Sequence, residues 1–231
     1  ALLAILSLLV VKIPDLVTKS KSSIYSIATD FSEGFQTVSK NKGLRYLFLY
    51  AMAITFVIMP AAIMFPLLTT GHYAGGKWEM GIVEVVWGGG MLIGGVILSI
   101  FKLKGSKVAA VNIMYVLLGL TFILSGVLPA SWFVEFVMVT AIGGVSLSVF
   151  NGCFTAIVQT EVSPEKLGRV FSLYYSMAVL PSVIGLLFTG LIAEVIGVNI
   201  TFIVSGCLAI LVGILSFGTR NLMQLGKIKN V

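Results

Sequence analysis

In this chain of 231 residues, 58% are hydrophobic and only 10% charged, with a mean hydropathy of +1.08, which excludes a soluble globular domain. The formal charge of +6 is distributed by side of a membrane rather than gathered in a patch, so it reports topology and attraction to anionic lipid, not a nucleic-acid partner. One histidine and two cysteines make neither a metal cluster nor a disulfide framework, and no HExxH, GxSxG, P-loop or facing aspartate pair occurs. No enzyme is expected, and no cofactor.

Residues 1–13 form an apolar run too short to cross a bilayer. No basic stretch precedes it and no small-residue cleavage site follows, as a signal peptide would need. It reads as the end of a transmembrane helix that begins before this sequence does, which makes the chain a fragment. Residues 14–43 are a polar linker in which Ile24, Ile27, Phe31, Phe35 and Val38 recur at spacings of three and four. This predicts an amphipathic helix on the membrane surface or packed under the bundle.

From there the chain is all-α, a polytopic membrane bundle over 44–217. Its six apolar runs lie at 44–69, 80–101, 108–128, 133–158, 171–192 and 200–217. Each has the roughly 20 residues that a helix needs to cross a ~30 Å hydrocarbon core. The connections are short, so neighbouring helices are antiparallel and no extramembrane domain fits; residues 218–231 are a tail. Fourteen of the fifteen Lys and Arg residues fall before or at the very start of the first run, in every second connection and in the tail. Lys77 alone lies on the other side. Cations stay cytoplasmic during insertion, so both ends of the six-span block face the cytoplasm of a cell membrane. The spans divide into two triplets of opposite orientation, a pattern of secondary transporters. Cys153 and Cys207 fall within spans as small packing residues.

Four stretches carry a resemblance that covers nearly the whole chain. The run Glu161-Val-Ser-Pro-Glu-Lys-Leu-Gly-Arg-Val-Phe-Ser-Leu-Tyr174 resembles the connection between helices 10 and 11 of major facilitator drug exporters, most closely the macrolide-efflux type, whose relatives include siderophore exporters. Also similar are Ser32-Glu-Gly-Phe-Gln-Thr-Val-Ser-Lys-Asn-Lys-Gly-Leu44, Glu84 with the later Gly90-Met-Leu-Ile-Gly-Gly95, and Ala193-Glu-Val-Ile-Gly-Val-Asn199. The resemblance implies that residues 1–13 end helix 6 and that the six spans are helices 7 to 12, the C-terminal half of the fold. It implies proton-driven, rocker-switch export of amphiphilic compounds. The first and fourth spans would line the central cavity, the second and fifth face the other half, and the third and sixth face lipid. One departure concerns the connection after the second span. Where the family often has an acid in a Gly-x-x-x-Asp-Arg-x-Gly-Arg loop, Ser99 stands here, so a latch built on that acid is not assumed.

The residues themselves fit that arrangement. In the fourth span Thr140, Gly144, Ser148, Asn151, Thr155 and Gln159 make one polar stripe, costly to expose to lipid. The second span has Gly88, Gly89, Gly90, Gly94 and Gly95 for close helix contact. The third and sixth have only scattered Asn112, Thr121, Ser125, Thr201 and Ser205.

Candidate functional residues each carry a second, plainer reading. Glu84 lies more than one turn inside its span and is the candidate for proton coupling; alternatively it caps the outer end or pairs with Lys77. Glu135 is read as an interface residue. Ser148, Asn151 and Thr155 are candidates for the substrate pathway or for interhelical hydrogen bonding, with Gln159 closer to the edge. Tyr46, Tyr50, Tyr174 and Tyr175 sit at the level of an aromatic belt, and Tyr50 is deep enough to stack on a substrate. Pro60 and Pro66, and Pro181 with Gly185 and Gly190, are bend points that a transport cycle would use. Ser163, Pro164 and Glu165 start a helix cleanly, and Arg169 one turn on is expected to reach lipid phosphate or Glu161.

The expected function is therefore export of amphiphilic drugs such as macrolides by proton antiport, with this chain one half of the exporter. Its partners would be an N-terminal half, the bilayer, the amphiphile and protons. The alternatives are a half-size scaffold that dimerises through its glycine-rich helices, a non-transporting remnant, or an exporter of siderophore-like or sugar-like cargo.

Overall fold

The computed structural model describes residues 24–100 and 105–225. The expected helix end at 1–13 and the last six residues of the tail lie outside them. All regular structure among the described residues is helical. An amphipathic helix α1 (Ile24–Lys40) leads into α2 (Lys42–Ile63), followed by α3 (Lys77–Ile100), α4 (Lys107–Val127), α5 (Phe133–Glu161), α6 (Pro164–Ile196) and α7 (Val198–Gly218). A last turn, Arg220–Met223, ends the described chain.

Five helices are long and apolar enough to cross a membrane: Lys42–His72, Lys77–Ile100, Lys107–Val127, Phe133–Glu161 and Val198–Gly218. They match five of the six expected spans. The other expected span falls within α6, a continuous helix of 33 residues that runs through Pro181 and Gly185 without a break. The side chains of those two bend candidates lie outside the described residues. Pro164 opens α6 with Glu165 in its first turn, as the sequence predicts.

The helix starts are locally encoded. The Asn41 side chain accepts from the backbone N–H groups of Gly43 and Leu44 at 3.0 and 3.2 Å and caps α2. Ser106 caps α4 through the N–H of Ala109 at 3.4 Å. At α3, Glu79 rather than Glu84 closes the N-terminus, accepting from the Gly76 N–H at 2.7 Å. The far end of α2 is irregular. The helix continues through Pro60 to Ile63, then restarts as a three-residue turn, Phe65–Leu67, with Pro66 near its start. It finishes as a π-helical turn, Leu68–His72. Pro66 lacks an N–H to hold the regular ladder, and the wider turn follows from there.

The principal pairings are related by exchange of the two triplets. Helix α3 packs on α5 as α6 packs on α2, and α4 packs on α5 as α7 packs on α2. The remaining large contact, α4 against α7, maps onto itself. Its seam carries the same pattern on both helices: Asn112, Gly119 and Gly126 at seven-residue steps, and Asn199, Gly206 and Gly213 at the same steps. Running antiparallel, Gly119 meets Gly206, and each asparagine meets the last glycine of the other helix. A Cβ on Gly119 would stand 2.6 Å from the Gly206 carbonyl oxygen, and one on Gly206 would stand 2.5 Å from that of Gly119. Asn112 is fully buried and its carboxamide oxygen accepts from the Ser216 hydroxyl at 2.6 Å. Thr121, Ser125, Thr201 and Ser205, scattered in the sequence, are all buried. The hydroxyls of Thr121, Ser125 and Thr201 each bond a carbonyl of their own helix.

A second glycine seam joins α3 to α5. The Gly90 position abuts the Ala141 carbonyl, Gly94 abuts that of Val145, and Gly144 abuts that of Trp87. Gly88 and Gly89 have no neighbour in reach of a Cβ.

Helix α1 packs against α6 at Gly34, which, lacking a side chain, lets it press on the backbone at Arg169. Of its apolar residues Val38 is buried, while Phe31 and Phe35 are 47% and 57% exposed, open to a membrane surface. The contact at Gly34 sets Glu33 beside Arg169, and the two form an ion pair. Arg169 is thus paired with Glu33 rather than Glu161, whose carboxylate accepts from the Asn41 carboxamide at 3.2 Å.

Two predictions follow from the seams and the pair. Gly206→Leu overpacks the α4–α7 contact and lowers stability in detergent by about 1–3 kcal/mol, while Gly88→Leu leaves the thermal midpoint nearly unchanged. Equal midpoints for the two variants would contradict the seam. Both side chains of the Glu33–Arg169 pair are partly exposed, so Glu33→Ala shifts stability by less than about 1 kcal/mol. Its effect should appear instead as faster limited proteolysis of the segment before α2.

Candidate functional site

Helices α2, α3 and α5 enclose a cleft of about 240 Å³ lined by Met59, Ala62, Phe65, Val83, Glu84, Trp87, Thr140 and Leu147. A second cleft, of about 160 Å³, adjoins it between the broken end of α2 and the start of α3; Phe65, Val83 and Glu84 line both. The break at Met64 creates this geometry. It turns Phe65 inward, where its ring meets Trp87 at 5.5 Å, Phe122 at 5.6 Å and Phe202 at 5.0 Å between centroids. Of that cluster, Phe65 and Trp87 line the cleft, while Phe122 and Phe202 support Phe65 from behind. Glu84 and Trp87, one turn apart on α3, present their side chains on one wall.

The cleft has one charge and few free donors. Glu84 lies seven residues into α3, about 10 Å from its start. It forms no hydrogen bond or ion pair with any described residue, Lys77 included. The Thr140 hydroxyl donates to the Phe136 carbonyl at 2.8 Å, and the Thr69 hydroxyl donates to that of Phe65 at 2.9 Å. What remains facing the space is a carboxylate, two aromatic rings and aliphatic or thioether surface.

The polar stripe of α5 is divided by α3. Its first part is covered: Thr140 and Gly144 are buried, and Ser148 lies half-buried against Gly94. Its second part is open, with Asn151 and Gln159 exposed and Thr155 half-buried. Glu135 is exposed in the first turn of α5. Ser99 is turned back on its own helix, donating to the Gly95 carbonyl at 3.0 Å.

The tyrosines separate by depth. Tyr50 is half-buried, with its hydroxyl 2.7 Å from that of Thr219 and donating to the Leu215 carbonyl at 3.3 Å, which ties α2 to the end of α7. Tyr46 is half-buried under the Arg45 guanidinium, 5.7 Å from its ring centre. Tyr174 is buried, 4.4 Å from Phe154 and 5.8 Å from Phe48. Tyr175 is 61% exposed.

Sequence reasoning missed two groups. Trp87 was legible as the aromatic residue three positions after Glu84. The second group is a clamp at the end of the bundle opposite the cations, which no linear pattern announces. His72 Nε2 donates to the Leu128 carbonyl at 2.8 Å, and its Nδ1 accepts from the Asn199 carboxamide at 2.8 Å, joining the ends of α2, α4 and α7. The neighbouring Tyr73 hydroxyl donates to the Ser125 carbonyl at 2.8 Å. Burial pushes its pKa up to about 12, so it remains a donor throughout the physiological range. Gly197, at φ +80, sets the turn that starts α7 and brings Asn199 to this place.

Comparison with known proteins agrees with this architecture. Macrolide efflux protein A of Streptococcus pyogenes is 36% identical over 214 residues, which cover 93% of this chain and 53% of that protein. The protein of the same name from Enterococcus faecalis is 35% identical over 186 residues, 80% of this chain and 58% of the relative. An uncharacterized MFS-type transporter of Bacillus subtilis, YfiS, is 36% identical over 81 residues, 35% of this chain and 19% of the relative. The chain thus spans about half the length of the macrolide efflux proteins it matches. No solved structure matches it. The Major Facilitator Superfamily pattern extends over residues 47–223, from the start of α2 to the turn after α7. With that match across the helices that build the cleft, the chain belongs to the Major Facilitator Superfamily, a family of membrane transporters and not of enzymes.

Proposed function

We propose that this chain is the C-terminal half of an exporter of amphiphilic drugs, macrolides among them, driven by inward movement of protons. The observation that carries the reading is Glu84, a carboxylate without a partner among the described residues, at the mouth of an apolar cleft between α2, α3 and α5. A proton-coupled cycle needs a group that alternates between a charged and a neutral state within the translocation pathway. Similarity to the macrolide efflux proteins favours a macrolide as cargo. Lys42, Lys107, Arg169 and Arg220, gathered at one end of the bundle, support a cytoplasmic position for that end in a cell membrane.

The partner half would cover the surfaces left open. Along α3 only Val83, Gly90 and Gly94 are buried, while Leu92, Ile93, Val96 and Ile97 are exposed. Asn151 of α5 is exposed with no described partner. In a complete transporter these face a second bundle across the cavity, with Asn151 and Thr155 offering hydrogen bonds to cargo. Pro60 in α2, and Pro181 and Gly185 in α6, are the points at which those helices would bend during the rocking motion. The open faces of Gly88 and Gly89 also suit a homodimeric scaffold, which makes a functional test decisive.

Glu84→Gln in the full-length gene product is expected to abolish proton-driven efflux of a macrolide from energised cells while membrane abundance stays normal. Undiminished efflux in that variant would refute the role of Glu84, and absence of efflux in the unaltered protein would favour the scaffold. Asn151→Ala is expected to raise the half-maximal macrolide concentration about five- to tenfold, the loss of one hydrogen bond. Thr140→Val, whose hydroxyl is already bonded within α5, should change it less than twofold.

A further inference from the structure

We propose that His72 and Asn199 form a proton-released latch, which fastens the irregular end of α2 to α4 and α7 while the imidazole is neutral and frees it when the imidazole gains a second proton. The latch stands on the geometry of this end alone. That the end meets the external solution, from which protons enter, rests on the reading proposed above.

The two ends of the α4–α7 seam carry the argument. Exchange of the triplets relates Asn112 of α4 to Asn199 of α7, and each asparagine lies against the last glycine of the other helix. At the end that carries the cations, Asn112 accepts from the Ser216 hydroxyl at 2.6 Å, and its amide nitrogen lies 3.6 Å from the Met223 sulfur. Neither a hydroxyl nor a thioether changes its protonation near neutrality, so that joint is indifferent to pH. At the opposite end the equivalent asparagine meets the single histidine of the chain. A carboxamide would bridge the same groups; what an imidazole adds is an acceptor that one proton removes.

Only one protonation state fits the contacts. Nε2 faces the Leu128 carbonyl at 2.8 Å and must carry the ring hydrogen, which leaves Nδ1 to accept from the Asn199 carboxamide, also at 2.8 Å. A second proton, on Nδ1, sets N–H against N–H. Turning the carboxamide over does not relieve this, because its nitrogen also lies 3.4 Å from the Gly126 carbonyl, and an oxygen there would face an oxygen. His72 is half-buried, within reach of water, and ends the π-helical turn. Its surroundings leave the switching to the ring. Tyr73, in edge contact at 4.7 Å, stays a neutral donor to the Ser125 carbonyl. The facing parts of α4 (121–128) and α7 (198–204) contain no ionisable side chain. The charged residues on this side are Lys77, Glu79 and Glu84 of α3, Glu135 of α5 and Glu194 of α6, and none of them bonds to His72. Glu79 is engaged by the Gly76 N–H.

Hydrogen–deuterium exchange of the purified full-length protein in lipid nanodiscs tests the latch. It is read in peptides spanning 64–75 and 197–204, where the amides of Leu68, Tyr73, Gly75 and Thr201 hold the two ends. With the chemical exchange rate at each pH divided out, protection there is expected to fall about five- to tenfold between about pH 8 and pH 5.5, the loss of one hydrogen bond. The Gly119–Gly206 seam should stay unchanged. His72→Gln should remove the pH dependence, since a carboxamide takes up no proton in this range. Asn199→Asp should reverse it, because a carboxylate accepts from the imidazolium and tightens the latch on acidification.

Protection independent of pH in the unaltered protein, or a fall on acidification that persists in His72→Gln, overturns the inference. Should the Gln variant not fold, Asn199→Asp decides: loss or reversal of the fall supports the latch, and an undiminished fall overturns it. Macrolide efflux measured alongside separates the two readings. Efflux with pH-independent protection removes the latch and leaves the exporter; a pH-dependent latch without efflux removes the exporter and leaves the latch.

Discussion

The fold depends on how closely two backbones approach where glycine replaces a side chain. In a bilayer, lipid tails offer helices as good an apolar environment as one another, so association relies on van der Waals contact and shape rather than on expulsion of water. Glycine increases that contact by bringing whole helix surfaces together. At the centre of this chain Gly119 and Gly206 face each other's carbonyl oxygens, with no room for a Cβ on either. Every principal pairing can be placed around that contact. Helices α4 and α7 are bound to each other there, and each carries one member of the opposite triplet on its flank, α5 on α4 and α2 on α7.

The site follows from an irregularity in the same frame. Helix α2 does not continue to its end as a regular helix, because Pro66 cannot donate to the ladder and the chain passes into a π-helical turn. The reorientation sends Phe65 into the aromatic cluster and brings His72 and Tyr73 against the ends of α4 and α7. Glycines on α3 then hold that helix against α5, which leaves Glu84 and Trp87 beside the cleft rather than buried in a seam. The rigid seam and the irregular end thus have complementary roles: one fixes the wall, the other opens the space.

Polar residues divide along the same line. Thr121, Ser125, Thr140, Ser146 and Thr201 are buried and bonded to carbonyls of their own helices, so they require nothing from outside. Glu84 and Asn151 have no such partner among the described residues and stand on open surface. The structure thus separates polar groups satisfied within their own helices from those left open, a distinction that composition leaves undecided.

Much of the bundle was legible in the sequence. The helical class, five span positions, the start of α6 at Pro164 and the family all follow from apolar runs, capping chemistry and motifs, which act over a few residues. Even the asparagine–glycine heptads of α4 and α7 are written in the chain, although no property of one helix alone shows that its partner bears the same pattern. The tertiary structure decided the rest. It divided the polar stripe of α5, gave Arg169 to Glu33, turned Tyr50 toward Thr219, exposed Phe31 and Phe35, and set Trp87 beside Glu84 at a cleft. Each depends on which face of a helix meets another helix and at what height. Periodicity identifies a face, but only packing between distant segments chooses its neighbour.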